Sequence, residues 1–157
     1  MEANRFGRYF HEFHRGKTIW HETRKTITES DNNLFCLLTM NHHPAHLDAE
    51  YAKTAHHGKI LVVGTLVLSL IVGITVPDIS GKAIANLGYE VDHTRPVFIG
   101  DTLHAMSIII GDKRLTKDKT RGIVQIRSQG HNQNNEVVID IRRSIMVPVG
   151  PPESEES

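Results

Sequence analysis

Residues 41–48, Asn41-His42-His43-Pro44-Ala45-His46-Leu47-Asp48, set three imidazoles, a carboxamide and a carboxylate around one proline. Those side chains are material for acid/base chemistry. An unperturbed imidazole titrates near about 6.5 and can take a proton from water at physiological pH, whereas a carboxamide orients water but cannot accept its proton. His46 is therefore the natural base, with Asn41 placed to hold a water. Asp31, Asp48, His42 and His43 are the nearest groups that could replace a second base. His42 and His43 are either an exposed loop pair or donors that face a substrate. With His56 and His57 nearby, the imidazoles also have the donor type zinc prefers. Pro44 interrupts the i, i+4 helical spacing of His42 and His46, so neither a metal nor a cofactor is expected.

The elements that must position these groups can be read from periodicity. Pro44 fixes its own φ and pushes His43 toward extended backbone, so the segment is expected to be a rigid loop after a helix over 32–40. That helix would be capped by Ser30 or Asp31, with Leu34, Phe35, Leu37 and Leu38 as its apolar face. Asp48 is placed to cap a short helix over 48–56. Residues 17–28, rich in β-branched side chains, predict a strand. Residues 60–76 carry no charge. The run falls short of the roughly 20 residues of a membrane span and is broken by glycines and hydroxyl residues, so it predicts the central buried helix of an α+β domain. Strands are expected over 85–94, 101–111, 121–132 and 136–147, with turns at Gly111-Asp112 and Gln133-Asn134-Asn135.

The loop resembles the Gly-Asp-x-Asn-Pro-x-His signature of the MaoC-like, R-specific enoyl-CoA hydratases. His46 falls on the catalytic histidine and Asn41 on the catalytic aspartate, while Met40 and His43 replace the signature's glycine and asparagine. Gly58, Gly64 and the segment Arg95-Pro96-Val97-Phe98-Ile99-Gly100-Asp101-Thr102-Leu103 follow in the family's order, the last being similar to Arg-Pro-Val-x-x-Gly-Asp-x-Leu. The resemblance covers roughly residues 15–147. It implies a hot-dog fold, in which a curved antiparallel sheet wraps a long buried central helix, and a homodimer with its sites at the subunit interface. It also implies a hydro-lyase that adds water reversibly to a short 2-enoyl-CoA.

On this resemblance the oxyanion donor is the amide of Gly64, which would open the apolar helix and lets an oxygen approach closely. The other reading of Gly64 is a packing glycine beneath the sheet. Val63, also set against the substrate, stands where many relatives carry a histidine and brings no polar group. Arg95 is either a cation for the phosphates of CoA, with Lys59 and Lys82 as further candidates, or half of a structural ion pair with Asp101 or Asp92. The wording Asp31-Asn32-x-Leu-Phe and Leu-Thr-Met-Asn-x-x-Pro-x-His-Leu-Asp is similar to the branch acting on mesaconyl-CoA or itaconyl-CoA. A second substrate carboxylate would give Asn41, His42 or His43 something to bind. A non-catalytic acyl-CoA-binding subunit, favoured by the missing aspartate, and a hot-dog thioesterase are the alternatives.

Composition agrees with one modest globular domain. The 157 residues hold 18 Lys plus Arg against 18 Asp plus Glu, a formal net charge of zero, so nothing draws the chain to nucleic acid or a membrane surface. The single cysteine, Cys36, lies among apolar neighbours and reads as a buried thiol in a reducing, cytoplasmic setting. The expected organisation is an N-terminal extension over 1–16, a domain over 17–147 and a disordered Pro/Gly-rich acidic tail over 148–157.

Overall fold

An uncharged helix as apolar as residues 60–76 needs a sheet to cover it, and the strand-like runs on either side supply one. A computed structural model of the protein describes residues 6–151. Two short strands, β1 (Thr18–Trp20) and β2 (Lys25–Thr26), precede four long ones, β3 (Ala85–His93), β4 (Thr102–Arg114), β5 (Arg121–His131) and β6 (Val137–Pro148). All pairings are antiparallel, in the order β1-β4-β5-β6-β3, with β2 also on β4. Between β2 and β3 lie α1 (Glu29–Leu38), α2 (Pro44–Leu47), α3 (Ala49–Thr54) and α4 (Gly64–Thr75).

Along β4, Leu103, Ala105, Ser107 and Ile109 are buried at every second residue, the period of a pleated strand with one face covered. Val67, Ile71 and Ile74 of α4 join Leu103, Ala105, Ile139 and Ile141 in one core. The sheet thus curls around α4 in the hot-dog arrangement. A second core gathers Phe10, Phe13, Ile79, Val124 and Ile145. Phe10 packs directly over Gly122, so part of the expected N-terminal extension is core, while residues 1–5 lie outside the described range. Among the described residues no helix is long and apolar enough to cross a membrane.

Several elements depart from expectation for identifiable reasons. The strand expected over 17–28 leaves the ladder after Trp20, because His21 turns inward to Asp78 and Ser107. The turn expected at Gly111-Asp112 is a bulge between Ile109 and Gly111, and β4 runs on to Arg114. Pro148 ends β6 rather than beginning a tail, and residues 152–157 of that tail lie outside the described range. Thr28, not Ser30 or Asp31, caps α1: its hydroxyl accepts from Asp31 N–H while the Asp31 carboxylate accepts from Thr28 N–H. The face of α1 that is buried holds Asn32 and Cys36, whereas Leu34, Leu37 and Leu38 are exposed.

Candidate active site

The corner after α1 is built by its backbone. Asn41 N–H donates to the Cys36 carbonyl at 3.0 Å and Met40 N–H to that of Leu37 at 3.4 Å, the paired bonds of a Schellman motif. Met40 accordingly has φ +59°, the conformation that favours the glycine of the family signature. Asn41 Oδ1 accepts from His43 N–H at 3.3 Å. Pro44 then does not hold a loop open, as expected, but occupies the first position of α2, where its missing N–H costs nothing. His43 is the cap, its Nδ1 accepting from Ala45 N–H at 3.1 Å. Asp48 closes α2 and caps α3 as its position suggests, accepting from Glu50 and Tyr51 N–H at 3.0 Å each.

His46 lies on α2 and is held at both ends. Its Nδ1 donates to the Leu61 carbonyl at 2.7 Å. A carbonyl can only accept, so in the neutral ring the proton sits on Nδ1 and Nε2 carries the free lone pair. The His46 carbonyl accepts from Asn32 Nδ2 at 2.9 Å, and Asn32 Oδ1 accepts from Val63 N–H at 3.1 Å. Asn32, wholly buried, therefore ties the backbone of His46 to the start of α4. Val63 is the cap of that helix and Gly64 its first residue, whose N–H has no intrahelical acceptor. A base with a free lone pair and a helix-end donor are thus fixed to one frame.

A groove of about 290 Å³ opens beside this frame, floored by Leu61, Val62, Val67 and Val97 and edged by Gly64, His57, His93 and Arg95. Val63 itself is buried, and of the catalytic and substrate-binding residues expected from the sequence only Gly64 and Arg95 line the groove; Asn41, His42, His43 and His46 do not. The Arg95-Pro96-Val97 segment shapes it: the Val97 carbonyl accepts from Val62 N–H at 2.9 Å, and Leu61 bridges to Phe98. Arg95 pairs with neither Asp101 nor Asp92 but with Glu136, at 3.6 Å. Asp101 is spent on the turn, accepting from Phe98 N–H and from Gln133. Lys59 lies over the Phe98 ring, and Lys82 donates to the Phe6 carbonyl away from the groove.

Of the other proton acceptors weighed from the sequence, Asp31, His43 and Asp48 have structural duties, whereas His42 is exposed. Asp31 pairs with Lys25 at 2.9 Å, and Lys25 together with Thr28 N–H holds its carboxyl down to about 2. Cys36 is a fully buried thiol whose pKa is pushed up by that burial. Elsewhere a hydrogen-bonded chain runs from buried Ser128 through Ser107 and His21 to the partly exposed Asp78, with links of 2.7, 2.9 and 2.6 Å. Burial lowers the His21 pKa despite the carboxylate beside it, and Ser107 and Ser128 are closed to solvent. Among the described residues no group of three or more His, Cys, Asp or Glu could hold a metal ion.

Two residues of this frame escaped sequence reasoning. Asn32 left one signal, a polar residue one turn before Cys36 on the face of α1 that turns inward. His93 left none, since only the course of β3 brings its ring to Gly64.

The family model described as MaoC like domain matches residues 12–131. A mesaconyl-CoA hydratase of Cereibacter sphaeroides is 37% identical over 90% of this chain and 41% of its own length. A beta-methylmalyl-CoA dehydratase of Chloroflexus aurantiacus is 39% identical over 90% of this chain and 40% of its own. The chain thus spans about two-fifths of the length of these curated relatives. Among solved structures, a MaoC domain protein dehydratase from Chloroflexus aurantiacus superposes with a TM-score of 0.89 at 35% identity, covering 99% of this chain and 45% of that one. A Mycobacterium tuberculosis protein with a double hot-dog fold gives a TM-score of 0.85 at 20% identity, covering 94% of this chain and 46% of that one, a likeness of fold alone.

Proposed function

The chain belongs to the MaoC-like domain family, and from that premise we propose that it is a hydro-lyase adding water reversibly across the double bond of a short 2-enoyl-CoA thioester. The observation that carries this reading is the bond from His46 Nδ1 to the Leu61 carbonyl, because it leaves Nε2 as an oriented base. His46 Nε2 takes a proton from water as the water oxygen bonds to the β carbon. The double-bond electrons move onto the thioester oxygen, and the Gly64 N–H at the start of α4 stabilises the enolate. The α carbon then recovers the proton from the imidazolium, so hydrogen and hydroxyl have been added and His46 is restored. One imidazole suffices for both transfers. Asn41, unable to carry a proton, orients the water.

The substrates in the names of the two curated relatives, with 37% and 39% identity behind them, favour a branched dicarboxylic ester such as mesaconyl-CoA or itaconyl-CoA. The working unit is a homodimer. In the single chain, Thr65, Ser69 and Gly73 form an exposed stripe of small residues along α4, Leu34, Leu37 and Leu38 are exposed on α1, and β3 is an open sheet edge. A second copy covers these surfaces, as the greater length of the relatives suggests. A cytoplasmic setting suits the free thiol of Cys36.

The test is incubation with crotonyl-CoA and mesaconyl-CoA while following the absorbance of the conjugated thioester and the release of free thiol. Hydration removes the absorbance without thiol. Thiol release would make the protein a thioesterase, and no change with folded protein would leave an acyl-CoA-binding subunit.

A further inference from the structure

Two imidazoles at the groove, those of His57 and His93, are not used by the hydration chemistry. His93 ends β3, and its ring lies where a side chain on Gly64 would begin, with Cε1 3.0 Å and Nε2 3.1 Å from the position of a Cβ there. His57 and Arg95 line the same groove. None of its lining residues is acidic, and Arg95, although paired with the Glu136 carboxylate at 3.6 Å, has further guanidinium N–H groups to offer an anion. Two imidazoles and a guanidinium over an apolar floor form an anion receptor, one that a purely aliphatic acyl chain has no use for.

We infer that His93, with His57 and Arg95, determines specificity by binding the second carboxylate of a dicarboxylic enoyl thioester. The contact of His93 with Gly64 sets the size of the diacid. If Gly64 N–H receives the thioester oxygen, an anion on His93 lies only a few bonds from the reacting carbons, so the acid is short and branched. This identification of the ligand rests on the hydratase reading, whereas the anion receptor does not.

Calorimetry with non-hydratable esters separates the two. Methylsuccinyl-CoA carries the extra carboxylate, butyryl-CoA lacks it, and free CoA carries only the phosphates. The native protein is expected to bind methylsuccinyl-CoA about tenfold more tightly than butyryl-CoA, the scale of one charge-assisted hydrogen bond. His93→Phe and Arg95→Gln should each remove most of that preference, with a much smaller effect on butyryl-CoA and CoA. Equal losses for all three ligands would assign these side chains to the CoA phosphates and overturn the inference. So would a preference that survives both substitutions, or its absence from the native protein. Mesaconyl-CoA turnover is followed in parallel. A binding preference without turnover overturns the hydratase reading alone, turnover without the preference overturns this inference alone, and binding of none of the ligands overturns both.

Discussion

Asn32 joins His46 to α4 through two hydrogen bonds, and neither can be replaced from within the surrounding core. Leucine at this position fits the volume but leaves the His46 carbonyl and the Val63 N–H without partners. A buried group stripped of its bond costs about 1–3 kcal/mol, so Asn32→Leu should lower stability by about 2–4 kcal/mol in denaturant unfolding. Enoyl-CoA turnover should fall by more than the loss of folded protein explains, because the base and the oxyanion donor are no longer held to one frame. A variant as stable as the native chain would show that water replaces both bonds. His46 and Asn41 were singled out by residue type and spacing, and Gly64 by the family resemblance. Asn32 and His93 were not, because their importance lies in contacts that only the packing of α1 and the course of β3 create.

At the scale of elements, the turn after α1 holds Met40 at φ +59°, a conformation that costs a side-chain-bearing residue about 1 kcal/mol. Met40→Gly should therefore raise the unfolding free energy by about 0.5–1 kcal/mol, measured as a higher denaturant midpoint with the slope unchanged. A lower midpoint would mean that the exposed Met40 side chain makes a stabilising contact in the assembly. The long strands were legible from patterns that continue over ten residues or so, and α4 from an uncharged apolar run of seventeen. Shorter signals misled. Pro44 reads as a breaker in any position except the first of a helix, which is where it stands. The leucines of α1 show that the helix is amphipathic, but not that its apolar face points away from this chain's own core. The strand over 17–28 breaks where His21 meets a buried serine and a carboxylate, partners far away in sequence.

The whole molecule carries a pH dependence in its histidines. His21, His104 and His131 all have pKa values lowered chiefly by burial. The folded chain therefore keeps them neutral at a pH where the unfolded chain has begun to bind protons. Because the unfolded state then holds more protons, stability is lost as pH falls below the ordinary imidazole value of about 6.5. Asp31, lowered from 3.8 to about 2, adds to that loss only below about pH 4. Denaturant midpoints should thus already be lower at pH 5.5 than at pH 7.5, and equal midpoints would contradict the burial of these rings. The same scale governs assembly. A single hot-dog unit with an open β3 edge and an exposed α1 face should sediment as a dimer, and a monomer that turns over substrate would refute the dimeric site.

His46→Ala tests the central claim most directly, through the turnover of crotonyl-CoA and mesaconyl-CoA measured beside the native protein at matched thermal stability. A positioned general base contributes about 10²–10⁴-fold, and the loss should lie in that range for whichever ester is the better substrate. A folded His46→Ala protein that keeps more than about a tenth of the native rate would place the base elsewhere and contradict the account.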